Sequence, residues 1–374
     1  MPASQQHFDE FKGHTLLKHA IFRYYVERWS RILLRHFDEL RIVDACAGAG
    51  QDAQGRPGSP MIAVVEARKA VEQMKREVGK PRRIEVVAIE KDPARYRLLC
   101  ERMGQDTPDH RTVCGTLADV IGSLALRTPT LFFIDPFGLE PLRADVIRQA
   151  LAGARNEVFL LFADQAALRH IGAVDSLAPS DHPVLDLFGS EPPPAEPAPS
   201  QAVTGARAEE IMTAAFDRLD WKATVARNPS KKRHALVLLY CDMLRSFGAQ
   251  KVLVIPMISG SIIKYHLIYA TKSPRGYDVM KDSLGRALNT VLAGSEEQIR
   301  LGAQASVAQI ERTVLDRFAG REIFWVADGA GEEGLRRYVA EETPAMPWQM
   351  DELKERLKRF RLPGRKARYA FPPA

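Results

Sequence analysis

The chain has 374 residues, 45% of them hydrophobic, and a formal net charge of +6. That length suits one large domain of about 250 residues and a small second one, and no run of about 18 apolar residues offers a membrane span. Met1 to Asp9 lack the apolar stretch of a secretory leader, and Cys46, Cys100, Cys114 and Cys241 are too scattered for a metal knuckle or a disulfide framework, which points to a reducing bacterial cytoplasm.

Residues 15–37 place Leu17, Ile21, Tyr25, Trp29, Leu33 and Phe37 at spacings of four. This predicts a long helix with one apolar stripe and with Lys18, Arg23, Arg28, Arg31 and Arg35 mostly off it. The run LRIVDACAGAG then reads as a strand that meets an acid and breaks into a glycine loop, which QDAQGRPG prolongs. Ser59 suits an N-cap and Pro60 a first turn, opening a helix through about residue 78. RIEVVAIEKDP is a second strand ending in Glu90, with Asp92 and Pro93 opening the next helix. RTVCGTLADVI gives a short third strand, and TLFFIDPFG a fourth that stops at Asp135-Pro136. A helix over 141–152 precedes a fifth strand in residues 156–164.

A proline-rich insertion around 170–205 interrupts this order, with EPPPAEPAPS as its core. Helical patterns resume over 206–220 and 231–247, and KVLVIPMI and IIKYHLIYAT, joined by SGS, form a hairpin. Strands alternating with helices predict a parallel α/β sheet covered on both faces. Closure by an antiparallel hairpin is the pattern of the Rossmann-like class I methyltransferase fold, expected over 1–295. Helices over 306–318, 332–341 and 348–360, followed by LPGRKARYAFP, predict a small winged-helix domain over 305–374; a packing or dimerisation cap is the alternative.

In an open α/β sheet, ligands bind beyond the carboxyl ends of the strands. Asp44, Gly48 and Gly50 fall at the end of the first strand, and Glu90 at the end of the second, where an acid can accept both ribose hydroxyls of S-adenosylmethionine. A structural turn and a surface Glu are the plain alternative. GAGQDA also satisfies the dinucleotide pattern G-x-G-x-x-A, but QGRPGSP intervenes before a helix can begin. After the third strand Thr116 stands where many such enzymes carry an acid for the adenine amine, and Asp119 could substitute.

Asp135, Pro136 and Phe137 resemble the Asp/Asn-Pro-Pro-aromatic tetrad of amino-methyltransferases. A carboxylate and a backbone carbonyl that accept the two hydrogens of an exocyclic amine make its nitrogen more nucleophilic, while an aromatic ring stacks on the flipped base. Phe137 and Gly138 stand where the second proline and the aromatic belong, and Asp-Pro also makes ordinary turns. There is no Pro-Cys dipeptide for a thiolate route through Cys46, which reads as a small buried residue.

Taken together, KHAIFRYYVERW, IVDACAGAGQDAQGRPGSPMIA, AIEKDP, FFIDPFG and IIKYHLIYATKSPRGYDVMKD resemble the three-Cys-motif partner protein family, TcmP. The segment from FAGREI to RKARYAFP resembles the winged-helix domain attached to it. Ala45-Cys46 and Ala49 depart from the family's DlFAGpG pattern but spare the acid and the glycines. The resemblance implies a methyltransferase-like fold encoded beside a radical-SAM-like partner with three clustered cysteines, and that partner would hold the iron–sulfur cluster. Two readings follow: a methyltransferase acting on an exocyclic amine of nucleic acid, or a non-catalytic subunit that delivers nucleic acid to the partner. No metal site is expected in this chain.

The tail carries seven basic residues and no acids from Arg356 onward. Lys354, Lys358 and Arg361 fall at helical spacings, and Arg365, Lys366 and Arg368 surround a glycine turn. These suit phosphate contacts, with Tyr369 free to pack against sugar or protein; a solvated helix face is the alternative.

Overall fold

The structure, a computed structural model, describes residues 13–124, 127–175, 204–217, 220–259, 262–291, 299–301, 307–325, 334–343, 345–363 and 367–372. Most of the proline-rich insertion and both Arg365 and Lys366 therefore lie outside the described residues. The strands of the large sheet are β1 (Glu39–Asp44), β2 (Arg83–Glu90), β3 (His110–Cys114), β4 (Thr130–Ile134), β5 (Glu157–Phe162), β6 (Lys251–Ser259), β7 (Ile262–Thr271) and β8 (Ile299–Leu301). Their spatial order is β3-β2-β1-β4-β5-β7-β6-β8. β1 to β5 run parallel, and β7 is antiparallel to both β5 and β6. The 3-2-1-4-5-7-6 order is that of the Rossmann-like class I methyltransferase sheet. The expected hairpin is present, with its second strand next to β5, and β8 adds an unanticipated edge.

The helices preceding the small C-terminal unit are α1 (Gly13–Leu33), α2 (Ser59–Val78), α3 (Pro93–Met103), α4 (Leu117–Ile121), α5 (Ala144–Ala152), α6 (Asp164–Asp175), α7 (Gly205–Phe216), α8 (Trp221–Arg227), α9 (Lys232–Ser246) and α10 (Pro274–Val291). Alternation along the strands sends side chains to two cores. One packs Ile42, Phe133, Phe159 and Tyr269 against α1, α2 and α10. The other packs Val43, Phe132, Phe162 and Ile268 against α5, α6, α7 and α9. Among the described residues, no helix is long and apolar enough to cross a membrane.

Several boundaries differ from expectation for identifiable reasons. A row at spacings of four drifts by about 40° per step around a helix of 3.6 residues per turn. Leu17, Ile21, Tyr25 and Trp29 are accordingly buried, Leu33 and Phe37 only half so, and α1 ends at Leu33. The N-cap of α2 is Gly58, not Ser59, whose hydroxyl is used elsewhere. The helix expected over 206–220 ends early, because α7 stops where Asp217 takes a positive φ of 57°; α8, which was not expected, begins beyond that range and is capped by Asp220, which accepts from the Ala223 amide at 2.8 Å. α6 and α10 were not anticipated.

The C-terminal unit comprises α11 (Val307–Arg317), β9 (Glu322–Phe324), α12 (Leu335–Glu342), α13 (Met350–Leu357) and β10 (Arg368–Ala370). β9 pairs antiparallel with β10, and the Leu362 amide donates to the Arg368 carbonyl at 2.8 Å, so residues 361–362 form a further short rung. Val314, Phe318, Leu353 and Phe371 build a separate core. Tyr369 belongs to it and is only 1% exposed, which corrects the expectation that its ring is free for a partner. Met346 reaches back into the core beneath α1, and buried Lys281 donates to the Thr343 carbonyl at 3.1 Å.

A buried polar cluster fixes α1 at the amino end of β5. Tyr25 donates to Glu157 Oε2 at 2.5 Å, Thr271 donates to Oε1 at 2.8 Å, and the Tyr25 and Tyr269 hydroxyls are 2.5 Å apart. Burial holds the Glu157 carboxyl above the usual carboxylate range. Replacing Glu157 by Leu should cost about 1–3 kcal/mol for each hydroxyl left unpaired. Urea unfolding measures this, and an unchanged midpoint would show that the cluster does not hold the helix.

Candidate functional site

Asp44, the last residue of β1, is level with Ala88 of β2 and Phe133 of β4. Glu90 and Asp135 therefore stand two residues further along the flanking strands, and three acids gather at one edge of the sheet. Asp44 is fully buried; its Oδ1 accepts from the Cys46 amide at 3.3 Å, and Oδ2 has no partner among the described residues. Burial pushes its carboxyl up to about 7 against the pull of the Ser59 hydroxyl and the Cys46 amide, with nearby Asp135 adding to the rise.

The loop after β1 needs its glycines for backbone shape. Gly48 and Gly50 have φ of 62° and 80°, the left-handed region that side chains disfavour. In this conformation the Gly48 amide donates to Glu90 Oε2 at 2.9 Å, while the Asp92 amide donates to Oε1 at 2.8 Å. Arg102 grips the carbonyls of Ala49 and Gln51 at 2.7 and 2.8 Å. Asp52 closes the remainder, accepting from the Arg56 amide at 2.8 Å and its guanidinium at 2.5 Å. Gly58 lies so close to Gly50 that a Cβ would sit 2.9 Å from the Gly50 carbonyl oxygen. Because α2 starts only at Ser59, its N-terminus does not follow the glycine turn directly, as a dinucleotide fingerprint requires.

Asp135 follows β4 directly and forms an ion pair with Lys18 of α1. Pro136 is buried, whereas Phe137 is 75% exposed with the Arg95 guanidinium 5.3 Å from its ring centroid. Tyr265 of β7 is near enough to Asp135 to feel its charge, and its hydroxyl donates to the His14 carbonyl at 3.5 Å. His19, one residue after Lys18, is buried; that burial, with Lys18 and Arg23 nearby, lowers its pKa to about 3, so the ring is neutral. The N-terminal helix is thus part of the site, although sequence reading treated it as core packing alone. Lys18 and His19 leave no local signal, since their partners lie far along the chain.

Other expectations are refined. Asp119 accepts from the Thr116 amide at 2.8 Å and hydroxyl at 2.7 Å, so the carboxylate considered for an adenine amine caps α4. Burial and the surrounding acids Asp44, Asp135 and Glu90 push the Cys46 thiol up, which leaves it unreactive.

The basic tail is more compensated than its sequence suggests. Arg356 and Arg359 both reach Glu311 of α11, at 3.3 and 2.7 Å, Lys358 pairs with Glu355 at 2.7 Å, and Arg368 with Glu322 at 3.4 Å. Lys354 lies over the Trp325 ring at 5.7 Å. The acids come from earlier elements, which a count from Arg356 onward misses. Arg361 is exposed beside the hairpin.

No protein-family model matches the chain, and no curated protein matches it in sequence. Among solved structures it is similar to a Legionella pneumophila protein of the DUF519 family, at 11% identity and TM-score 0.40 over 79% of this chain and 99% of that one. Fibrillarin from Aeropyrum pernix in complex with S-adenosylmethionine matches at 11% identity and TM-score 0.27, over 67% and 76% of the two chains. The plantazolicin methyltransferase BamL matches at 10% identity and TM-score 0.28, over 70% and 85%. The fold assignment rests on strand order and not on these scores.

Lys18 and Asp135 are both largely buried, so removing one partner should strand the other's charge at a cost of about 3 kcal/mol. A double-mutant cycle with Lys18→Met and Asp135→Asn should show a coupling above about 1 kcal/mol. Additive effects would mean that α1 does not depend on the pair.

Proposed function

We propose that the protein is an S-adenosylmethionine-dependent methyltransferase whose acceptor is an exocyclic amine of a nucleic acid. The observation that carries this reading is the convergence of Asp44, the Gly48–Gly50 turn and Glu90 on one edge of a 3-2-1-4-5-7-6 sheet. The residues fit the cofactor. S-adenosylmethionine is cationic at sulfur and at its amino group, and Asp44 keeps a buried carboxylate oxygen with no hydrogen-bond partner among the described residues. Glu90 uses one lone pair of each oxygen on backbone amides and retains acceptor capacity for ribose hydroxyls. Gly48 and Gly50 would line the backbone approach.

When bound, S-adenosylmethionine supplies an electrophilic methyl group: a nitrogen–carbon bond forms while the sulfur–carbon pair stays on sulfur, and the acceptor nitrogen has one proton to lose. Asp135 offers its second oxygen and Pro136 its carbonyl to the amine hydrogens. Exposed Phe137 offers a ring for the base to stack on.

The order of the C-terminal unit supports a nucleic-acid partner. Helix, strand, two helices and then a further short strand is the order of a winged helix, with Arg361 and Arg368 beside the last strand and Arg365 and Lys366 between them in sequence. The resemblance to TcmP supports a radical-SAM-like three-Cys protein as partner. A second reading, a non-catalytic subunit delivering nucleic acid to that protein, is favoured by one observation: Lys18 already occupies a carboxylate oxygen of Asp135.

Titration calorimetry with S-adenosylmethionine tests the proposal. Glu90→Ala should weaken binding by roughly 1–3 kcal/mol, the cost of hydroxyls left without an acceptor; unchanged affinity would remove Glu90 from the site. Asp135→Asn should keep binding and lose transfer to DNA and RNA oligonucleotides. A wild-type protein that binds S-adenosylmethionine yet methylates neither gives the field to the delivery reading.

For the tail, replacing Arg365, Lys366 and Arg368 together should weaken DNA binding across sequences and flatten its salt dependence by about 3 units if all three touch phosphate. Filter binding at several salt concentrations reads this. A variant that keeps the wild-type slope but no longer captures the three-Cys partner would make the tail a protein interface.

A further inference from the structure

At the opposite end of the sheet from Asp44, Glu90 and Asp135, a cavity of about 420 Å³ opens beside the cluster that pins α1 to β5. One wall continues the apolar stripe of α1. Trp29 is buried there, whereas Leu33 and Phe37, which also line the cavity, are only half covered. Ala154 and Arg155 just before β5, with Ser273, Arg275 and Gly276 at the start of α10, form the rest of the rim. Among the residues that line the cavity Glu157 is the one acid. Both of its oxygens accept hydroxyls, from Tyr25 and Thr271, and burial holds it toward its neutral form. The lining cations are Arg155, Lys272 and Arg275, with the His36 imidazole beside them. Lys272 donates to the Leu151 and Gly153 carbonyls at 2.6 and 3.1 Å, and Arg275 pairs with Asp278 at 3.1 Å. The exposed Arg155 guanidinium has no hydrogen bond or ion pair among the described residues.

We propose that this cavity is a second binding site, separate from the cofactor edge, for a small organic acid with a flat apolar body, an aromatic carboxylate in its simplest form. Size points to a small molecule, because ligand pockets commonly enclose about 300–1,000 Å³ and are mostly apolar with a few placed polar groups. Trp29, Leu33 and Phe37 suit a flat ring, which gains most from aromatic and aliphatic walls. Charge decides the rest. A cationic ligand would meet Arg155, Lys272 and Arg275 with no carboxylate free to answer it. A wholly apolar ligand would leave Arg155 unused at the rim. A carboxylate fits the planar fork of the Arg155 guanidinium, which can donate two parallel hydrogen bonds to it. The first turn of α10, a helix of 18 residues, adds its positive end on the same side.

Titration of the full-length protein with 2-naphthoate, read by nitrogen-15 NMR of the tryptophan indoles, tests the site. The chain has four tryptophans, and Trp29 alone among them lines the cavity. Its assigned Nε1 signal should shift saturably while those of Trp221, Trp325 and Trp348 stay in place. The uncharged 2-naphthamide has the same rings and should bind about tenfold more weakly or worse, a comparison that needs no variant to fold. Arg155→Ala should weaken 2-naphthoate by about tenfold and leave 2-naphthamide unchanged, and Arg155→Lys should recover part of the loss. A Trp29 signal that stays still at millimolar 2-naphthoate, or that responds equally to the amide, overturns the proposal. Wild-type affinity for 2-naphthoate in Arg155→Ala overturns it as well. No S-adenosylmethionine is present in these titrations, so their failure leaves the methyltransferase reading untouched, and the failure of that reading leaves this site standing.

Discussion

Helix α1 is held across the sheet by two carboxylates, Glu157 buried and Asp135 partly so, and the rest of the site depends on that grip. Lys18 meets Asp135 at the carboxyl end of β4, and Tyr25 meets Glu157 at the amino end of β5. The two positions are seven residues apart, close to two helical turns, so they share a face about 10 Å long. Between the pins, Phe22 stacks on Phe133 with ring centroids 4.2 Å apart, and Phe133 packs against Phe159 at 5.4 Å. Apolar burial draws the helix onto the sheet, and the polar pins set its position along the strands. That position brings Lys18 and His19 over the acids of the carboxyl edge.

The edge gathers Asp44, Glu90 and Asp135, and three carboxylates brought together in a partly dry place repel one another. The chain answers each in a different way. Lys18 neutralises Asp135, two backbone amides satisfy Glu90, and Asp44, with an oxygen left over, is driven toward its protonated form. A site arranged like this has one acid waiting for a cation. It also has a neighbouring aromatic, Phe137, turned outward where an acceptor could stack.

Much of this arrangement was legible in the chain because it is local. β1, β2, β4 and β5 announce themselves as apolar runs that stop at Asp44, Glu90, Asp135 and Ala163-Asp164, and the hairpin of β6 and β7 is marked by its short polar turn. Strand order then follows from the fold class those elements define. What escaped was set by contacts far apart in sequence. Lys18 and Asp135 are 117 residues apart, and Asp164 and His266 are 102 apart. No spacing rule joins such pairs, so Lys18 read as an off-stripe charge and His266 as one residue of a strand. Ser59 misled for a related reason: it has the chemistry of a cap, but the neighbouring Asp44 claims its hydroxyl while Gly58 makes the turn. Tyr369 and the tail cations were misjudged because their partners, the C-terminal core, Glu311 and Glu322, precede them in the chain.

The central claim is that this carboxyl edge binds a cationic cofactor through Asp44, and proton linkage reads it most directly. A cation beside Asp44 favours its carboxylate, so binding must draw the carboxyl down from about 7 and release a proton. The decisive measurement is titration calorimetry of the wild-type protein with S-adenosylmethionine at pH 6 and pH 8, in buffers of different ionisation enthalpy. The account predicts tighter binding at pH 8, proton release at pH 6, and loss of both effects in Asp44→Asn. Binding of equal strength at the two pH values without proton release, or no binding at either, would contradict it.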